Sequence, residues 1–303
     1  MTLEWTAREA AECLRMPTAS DDKYSRGVLG VRTGSERYPG AAVLGVEAAH
    51  RAGAGMVRYL GPERPTALVL ARRPETVTVA GRVQAWLIGS GTDAADRSAA
   101  ETAALRGLLD GDVPVVVDAG ALDLVVGRSG AAPVVITPHD REHARLRAAA
   151  GLPALERPDR LGRGESPAPA LPGVPDDLAA RAAVAAETAA RLGVAVLLKG
   201  ARTIVATPSG TVRVVIAPTA WLAAAGTGDV LGGILGALVA SAAGVDVESL
   251  GPLAATAAFV HGQAAATASA ERAGGPVTAL DVADAVASVV GSLLRGGASL
   301  PGR

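Results

Sequence analysis

The chain has 303 residues, of which 49% are hydrophobic and only 2% aromatic, and its formal net charge is −1. This size allows one large α/β domain or two ordinary ones, and the balanced charge argues against a nucleic-acid-binding or membrane-surface protein. Cys13 is the only cysteine, so no internal disulfide can form, and the charged N-terminus has no apolar signal region. We therefore expect a cytoplasmic protein.

Short apolar runs alternate with helical patterns along most of the chain. The predicted strands are 27–32, 56–60, 76–79, 85–88, 113–117, 132–137, 194–198, 203–206 and 212–216. The predicted helices are 38–52, 94–109, 141–149, 178–192, 229–243, 251–270 and 281–294. Several strands are continuous Val, Leu and Ile runs, as is typical of strands buried on both faces. The alternation predicts an α/β fold whose mostly parallel sheet is covered by helices on both faces.

Two segments depart from this alternation. The strands 203–206 and 212–216 are joined by TPSG, which predicts an antiparallel hairpin. Residues 153–176 are rich in Pro and Gly and lack apolar periodicity, which predicts a long surface loop. We find no internal repeat and no strong boundary, so we expect one domain over 1–303, with 1–19 as an N-terminal extension.

The segment LAAAGTGDVLGGILGALVA, residues 222–240, is apolar except for a single carboxylate, Asp229. A membrane span would have the right length, but a charge near its centre is unfavourable, so we expect a buried helix beginning at Asp229. Glycines ahead of a helix leave backbone N–H groups free to bind anionic oxygens. Asp229 is then placed to take a proton from a substrate hydroxyl, the alternative being that it merely caps the helix.

Four predicted strands end in glycine or polar residues, and these ends meet at the carboxyl edge of a parallel sheet, where α/β folds bind ligands. The four endings are Gly89 with Gly91, Asp118, Thr137-Pro138-His139, and Lys199-Gly200. Lys199 is one of only two lysines in the chain; it either binds a ligand or extends from the strand end into solvent. His139 taken alone is a weak signal. Asp118 either holds a metal-bound water or a phosphate-linked Mg²⁺, or caps the following turn.

Several segments, taken together and in order, resemble one family. They are KYSRG, YPGAAVLGVEAAHRAGAGMV, IGSGT, VDAGALD, ITPHDREHARL, LLKGARTIVA and AGTGDVLGG. This set, over roughly residues 20–295, resembles the ADP-dependent NAD(P)H-hydrate dehydratases of the ribokinase-like superfamily. The resemblance implies a three-layer α/β/α ribokinase-like fold.

The resemblance also implies an activity. The family uses ADP, or ATP in some members, with Mg²⁺, to phosphorylate the ring hydroxyl of NADH or NADPH hydrate, and loss of phosphate then restores the nicotinamide. Carried over by motif, the residues that contact the hydrate are Ala41, Gly91, His139 and Asp229, with Asp229 as the catalytic base. Those that contact the adenine nucleotide are Lys199, Gly200, Ala201, Arg202, Thr203, Gly226, Thr227 and Gly228. No metal ligand is assigned. The implied partners are a separate epimerase protein and further copies of the chain in a homo-oligomer.

Two segments depart from the family pattern. Gly120 and Asp123 stand where the family has Asp and Asn in its Asp-Ala-Asp-Ala-Leu-Asn motif, and residues 217–225 lack the usual Gly-Asn. These changes concern metal handling and the hydrate pocket, and they leave Asp229 intact. Two alternatives therefore stay open: a ribokinase-like kinase for a vitamin precursor or sugar alcohol, and a catalytically silent nucleotide-binding protein. The retained Asp229 and its glycine loop favour the dehydratase.

Overall fold

The computed structural model describes residues 4–153 and 176–297, and a single eight-stranded sheet runs through them. The strands are β1 Val28–Arg32, β2 Met56–Tyr59, β3 Ala85–Ile88, β4 Val115–Val117, β5 Val134–Ile136, β6 Ala195–Leu198, β7 Arg202–Ala206 and β8 Val212–Ile216. Their spatial order is β2-β1-β3-β4-β5-β6-β7-β8. The first six strands are parallel, and β7 and β8 continue the sheet as the predicted antiparallel hairpin.

Helices connect the strands and cover the sheet. They are α1 Ala7–Glu12, α2 Gly40–Arg51, α3 Glu63–Arg72, α4 Ala99–Leu109, α5 Asp140–Ala149, α6 Asp176–Leu192, α7 Thr227–Ser241, α8 Leu250–Ala270 and α9 Ala279–Gly297. Two 3₁₀ helices, Ala119–Val125 and Ala220–Leu222, follow β4 and β8. The architecture confirms the predicted α/β fold with a mostly parallel central sheet.

Successive side chains along the central strands point to opposite faces of the sheet, so the hydrophobic core is divided into two clusters, one on each face. On β4, Val116 packs into one hydrophobic cluster while Val115 and Val117 pack into the other, and Leu87 and Ile88 of β3 divide in the same way. The first cluster contains the buried faces of α2, α7, α8 and α9, and the second those of α4, α5 and α6. This is the three-layer arrangement that the resemblance implies.

Helix α7 is buried along most of its length between α2, α8 and the sheet. Gly233 allows the close approach of α2. A Cβ at this position would overlap the Gly45 backbone and would lie only 2.9 Å from the Ala48 Cβ. In the part of the chain that the structure describes, no helix is both long and apolar enough to cross a membrane. Burial inside the fold thus explains the apolar composition of this segment.

The structure differs from the sequence-based expectations at one predicted strand and at two further helices. The predicted strand 76–79 is wrong, because only Val77 forms a single bridge, with Arg58, beyond the edge strand β2. Helices α1 and α3 were not predicted; α1 lies within the expected extension 1–19 and packs on α8 and α9. The predicted loop 153–176 lies almost wholly outside the described residues.

Candidate active site

The carboxyl ends of β3, β4, β5 and β6 meet around the carboxylate of Asp118. Lys199, which follows β6, places its Nζ 2.8 Å from Asp118 Oδ1. The Ser90 hydroxyl donates to Oδ2 at 3.0 Å, and the Thr137 hydroxyl donates to Oδ1 at 2.8 Å. Asp118 is only 3% exposed. Its charge is therefore paired and hydrogen-bonded inside the protein, as a buried carboxylate requires.

These contacts define the role of Asp118. Its side chain makes no capping hydrogen bond to the 3₁₀ helix that follows β4, so the capping alternative is wrong. Both carboxylate oxygens already accept hydrogen bonds from neighbouring side chains, which leaves little coordination capacity for a metal ion. What Asp118 does in this structure is hold the ammonium group of Lys199 in place.

The start of α7 forms the glycine loop expected from the sequence. Gly226 adopts φ 86°, a left-handed conformation that favours glycine, and the helix begins at Thr227, two residues earlier than predicted. The buried Thr227 hydroxyl donates to the carbonyls of Leu222 and Ala224, each at 2.9 Å, and so fixes the loop. The N–H groups of Gly228 and Asp229 have no acceptor within the described residues. They are suited to bind an anionic oxygen at the positive end of the helix dipole.

Lys199 lies next to this helix start. Its Nζ is 3.6 Å from the position that a Cβ on Gly228 would occupy, so glycine leaves the ammonium group room beside the free amides. Burial opposes protonation of Lys199, but the charges of Asp118 and Glu142 outweigh it, and the pKa of Lys199 is raised. The lysine therefore carries a positive charge at neutral pH.

Asp229 has the opposite electrostatic environment. Burial and the negative charge of Asp118 raise the pKa of Asp229 to about 7, while the nearby Lys199 charge opposes the shift. A carboxyl group with this pKa is present in both protonation states near neutral pH, which suits a group that must accept a proton and release it again.

His139 connects to the same cluster through Glu142. It caps α5: its Nδ1 accepts from the amides of Arg141 and Glu142 at 3.1 and 3.3 Å, and its own amide donates to Glu142 Oε2 at 2.8 Å. Glu142 Oε2 lies 3.9 Å from Lys199 Nζ. The exposed His139 ring therefore stands at the rim of the site, held by a capping box.

Ala41, at the start of α2, and Gly91, in the turn after β3, contact each other. A Cβ on Gly91 would overlap the Ala41 Cβ and would lie 2.9 Å from the Tyr38 carbonyl oxygen, and Gly91 has φ 67°. The start of α2 and the turn after β3 therefore approach as closely as two backbones can. Small residues at both positions are needed for this contact.

Gly200 and Ala201 form the turn from β6 into β7, and Arg202 and Thr203 are the first two residues of β7. The first three of these four residues are exposed, and the Thr203 hydroxyl donates to the Gly200 carbonyl at 3.1 Å. The turn begins directly after Lys199. The residues assigned to the nucleotide by resemblance thus lie in two segments, this turn with the start of β7 and the start of α7, with Lys199 between them.

Sequence reasoning named the strand ends but missed the roles of Ser90 and Thr137, which hold Asp118. The signal was available, because each is a polar residue within two positions of the end of a buried strand. It also missed Arg181, on α6, which contacts the β6–β7 turn. Nothing in the local sequence around Arg181 distinguishes it from Arg191, the other arginine of that helix.

A cleft of about 580 Å³ is lined by Thr92, which follows Gly91 in the sequence, and by Glu142, which hydrogen-bonds to His139. It lies between the turn after β3, the 3₁₀ helix after β4, and α5, and its lining also includes Gly120. Another cleft, of about 610 Å³, lies between α1, α8 and α9, and no strand-end residue lines it. The chemistry of the candidate site lies in the cluster of charges and free amides and not in the larger cleft.

This arrangement supplies what a phosphoryl transfer needs. It places a fixed cation and unpaired backbone amides beside a carboxylate whose pKa is near neutrality. The cation and amides stabilise negative charge on a transferring phosphoryl group, and the carboxylate accepts the proton of an attacking hydroxyl.

Comparison with known proteins agrees with this chemistry. The family model for NAD(P)H-hydrate dehydratase matches residues 29–287. A bifunctional NAD(P)H-hydrate repair enzyme of Mycobacterium tuberculosis is 43% identical over 79% of this chain and 46% of its own length. An ADP-dependent (S)-NAD(P)H-hydrate dehydratase of Neisseria meningitidis is 34% identical over 80% of this chain and 77% of its own. The chain thus spans about half the length of the bifunctional relatives it matches.

Solved structures support the same assignment. A Bacillus subtilis ADP/ATP-dependent NAD(P)H-hydrate dehydratase, co-crystallised with ATP and Mg²⁺, superposes with a TM-score of 0.76 at 26% identity, covering 97% of this chain and 99% of its own. A ribokinase-like superfamily protein of Enterococcus faecalis, 20% identical, shares the fold over 96% of this chain and 95% of its own, with a TM-score of 0.76. The chain belongs to the NAD(P)H-hydrate dehydratase family, with a ribokinase-like fold.

Proposed function

We propose that this chain dehydrates the hydrates of NADH and NADPH in a reaction driven by ADP. The observation that carries the proposal is the placement of Asp229, with its pKa raised to about 7, beside the charged Lys199 and the free amides of Gly228 and Asp229. Family membership and the Neisseria and Bacillus relatives support this choice of substrate and nucleotide.

The first step is phosphoryl transfer. Asp229 takes the proton of the hydrate's ring hydroxyl, and the hydroxyl oxygen forms a bond to the terminal phosphorus of ADP. The phosphoanhydride bond breaks and AMP leaves; with ATP the leaving group is ADP. Lys199 and the amides at the start of α7 stabilise the charge on the transferring group.

The second step is elimination. The ring nitrogen donates its electron pair, the carbon–oxygen bond breaks, and inorganic phosphate leaves in place of hydroxide, which is a poor leaving group. Loss of a proton from the neighbouring carbon restores the double bond of reduced nicotinamide. Asp229 releases its proton to solvent, which a carboxyl group with a pKa of about 7 does readily at neutral pH.

Mg²⁺ fits this site as a companion of the nucleotide. Within residues 4–153 and 176–297, no three His, Cys, Asp or Glu side chains are grouped to hold a metal ion. Mg²⁺ usually binds substrate phosphates with one or two carboxylates and several waters, so a dedicated cage is unnecessary. Asp229, at the start of α7, and Glu142, 3.9 Å from Lys199, are the carboxylates that would face such an ion, which would supply charge neutralisation on the phosphates.

We assign the subsites by position. Lys199, the segment Gly200–Ala201–Arg202–Thr203 and the loop Gly226–Thr227–Gly228 form the proposed nucleotide side of the site. The hydrate side is formed by the contact of Ala41 with Gly91, by His139 at the rim, and by Asp229 between the two. The close approach at Ala41 supports this assignment, because a larger residue there would collide with the turn at Gly91.

Further proposals concern the surroundings of the enzyme. We propose that the chain acts as one domain in the cytoplasm, that it assembles as a homo-oligomer, and that a separate epimerase protein supplies the reactive hydrate epimer. Several relatives are named bifunctional repair enzymes, and the chain spans about half their length, which supports a second activity on another polypeptide or segment.

Product stoichiometry tests the proposal against a kinase and against a silent binder. Incubation of NADH hydrate with ADP and Mg²⁺ should yield NADH, AMP and inorganic phosphate in equal amounts. A stable phosphorylated hydrate without NADH would instead identify a kinase. Binding of ADP without any product would identify a nucleotide-binding protein that lacks the activity.

A further inference from the structure

An arginine from α6 holds the β6–β7 turn. Arg181 Nη2 donates to the Lys199 carbonyl at 3.1 Å, and Nη1 donates to the Arg202 carbonyl at 2.9 Å. A Cβ on Gly200 would lie 2.9 Å from Nη2, so the guanidinium lies against the turn itself. Arg181 also donates through Nη2 to Asp140 Oδ1 at 2.9 Å. One side chain thus joins both ends of the turn to the first residue of α5.

The remaining carbonyls of the turn are also occupied. The Gly200 carbonyl accepts from the Thr203 hydroxyl at 3.1 Å, and the Ala201 carbonyl accepts from the Ala217 amide at 3.0 Å. The N–H groups of Gly200 and Ala201, by contrast, have no acceptor within the described residues. A turn with its carbonyls engaged and its amides free is prepared to bind an acceptor-rich ligand.

We infer that Arg181 is a positioning residue for the nucleotide: it fixes the Lys199–Arg202 turn in the conformation that binds ADP. This inference rests on the proposed function, since it specifies how one side of the same site is preorganised. Arg181 itself is turned toward backbone carbonyls and Asp140, so it acts through the turn and not on the reacting atoms.

The chemistry of the contact explains why an arginine is needed. Three acceptors, two carbonyls and one carboxylate, are arranged around a planar group, and guanidinium carries enough fixed donors to reach all three. Lysine offers a single ammonium point that cannot span both ends of the turn. Asp140 follows His139 in sequence, so the same contact also sets the turn at a fixed distance from the proposed hydrate side.

The test measures ADP affinity by calorimetry and the KM for ADP in Arg181→Gln, Arg181→Lys and Asp140→Asn. Loss of hydrogen bonds to a charged donor should weaken ADP binding about 5- to 30-fold in Arg181→Gln. The kcat at saturating ADP should stay within about threefold, because the reacting groups are untouched. Arg181→Lys should recover only part of the affinity. Asp140→Asn should weaken ADP binding less, and its effect should largely disappear in the Arg181→Gln background.

The matched control is Arg191→Gln, an exposed arginine on the same helix, which should leave ADP affinity unchanged. A folded Arg181→Gln with wild-type ADP affinity would overturn the inference, as would an equal loss in Arg191→Gln. If Arg181→Gln does not fold, Arg181→Lys and Asp140→Asn replace it in the test. Unchanged ADP affinity in both of these variants would then overturn the inference. A wild type that binds ADP but does not restore NADH contradicts the proposed reaction alone, whereas a wild type that does not bind ADP contradicts both.

Discussion

Asp229, the proposed catalytic base, occupies a position that is unfavourable for a charged group. Its folded-state pKa of about 7 lies above its ordinary value of 3.8, chiefly because of burial. At low pH the carboxyl group is protonated in both the folded and the unfolded protein, so it does not lower the free energy of unfolding. As the pH rises from about 4 to 7, the unfolded chain ionises before the folded one, and stability falls. Above pH 7 the folded protein carries the full cost of the charge.

Replacement of Asp229 by Asn separates these two effects. We expect turnover to fall by about 10²- to 10⁴-fold, the usual contribution of a general base. ADP affinity should be nearly unchanged, and the melting temperature at pH 8 should rise, because a buried charge is removed. Hydrate turnover, ADP calorimetry and thermal unfolding measure the three effects. Full turnover in the variant would eliminate Asp229 as the base.

The negative charge of Asp118 raises the pKa of Asp229, so the pH profile of kcat/KM should depend on Asp118. Asp118→Asn removes a negative charge that raises the pKa of Asp229 and also frees Lys199, whose positive charge lowers it. The inflection of kcat/KM near pH 7 should therefore move to lower pH, with a reduced maximum. Asp123→Asn, an exposed carboxylate on the following 3₁₀ helix, is the control and should leave the inflection in place.

At the scale of elements, the 3₁₀ helix after β4 packs against the turn after β3 through Gly120. A Cβ on Gly120 would overlap the Thr92 backbone and would lie 2.6 Å from the Thr92 hydroxyl. This contact explains one departure from the family motif, since no side chain fits at Gly120 while the turn keeps this conformation. The missing carboxylate thus goes together with the close packing of two strand-end segments.

Gly120→Ala should consequently destabilise the protein by about 1–3 kcal/mol, as overpacking commonly does, and should reduce turnover by displacing the turn that carries Gly91. Gly107→Ala, in the exposed middle of α4 with open space around it, is the matched control and should stabilise by about 0.5–1 kcal/mol. Chemical denaturation of both variants measures the contrast. Equal free energies of unfolding would show that the turn adapts freely.

Elements with continuous apolar runs could be predicted from the sequence, and the exceptions have physical reasons. Strand Ala85–Ile88 was predicted with its observed ends, because burial on both faces leaves no competing pattern. Helix α3 was missed since Pro62 and Pro65 stand at its start and two of its leucines are exposed. Helix α1 has only six residues, although the capping box of Thr6 and Glu9 was a visible signal. The false strand 76–79 ends in Val79, which is 68% exposed.

The candidate site was partly visible in the same way. Asp118, Lys199 and Asp229 each follow a recognisable strand end or glycine loop, so topology alone brings them together. Their hydrogen-bond partners depend on side-chain geometry across the sheet edge, which no local pattern encodes. Arg181 illustrates the limit, because its partners Lys199 and Arg202 are held to it by the packing of α6 on β6 and β7.

At the scale of the whole molecule, a buried ion cluster ties three helices together. Glu47 of α2 has no exposed side-chain surface and accepts from Arg51 at 3.0 Å, from Arg72 of α3 at 3.1 Å, and from Arg73. Asp284 of α9 pairs with Arg51 at 2.8 Å. Burial raises the pKa of Glu47, but the three guanidinium groups outweigh it and lower the pKa to about 2. The cluster holds the helices that cover the Ala41 side of the site.

The depressed pKa of Glu47 predicts how acid unfolds the protein. The ionised Glu47 stabilises the protein fully above its ordinary pKa of 4.5, and this stabilisation is lost as the pH falls toward 2. It contributes on the order of 3 kcal/mol to the free energy of unfolding. Glu47→Gln should lower the free energy of unfolding at pH 7 by about 3 kcal/mol, because it removes the buried carboxylate that pairs with three partly exposed guanidinium groups. It should also flatten the fall in stability between pH 4.5 and 2.

Glu75→Gln is the control for this cluster, since Glu75 pairs with Arg73 at 3.2 Å and its side chain is 49% exposed. An exposed pair of this kind contributes less than about 1 kcal/mol. Urea unfolding at pH 7 and pH 4 compares the two variants. A Glu47→Gln protein as stable as Glu75→Gln would mean that the cluster does not hold the helices together.

The most direct test of the account follows the absorbance of reduced nicotinamide after mixing the protein with NADH hydrate, Mg²⁺ and ADP, with parallel samples lacking ADP and containing Asp229→Asn. We predict a rise that requires ADP and is reduced at least about 100-fold by the substitution. A flat trace from the wild-type protein with both ADP and ATP, or a rise that does not depend on nucleotide, would contradict the proposed reaction.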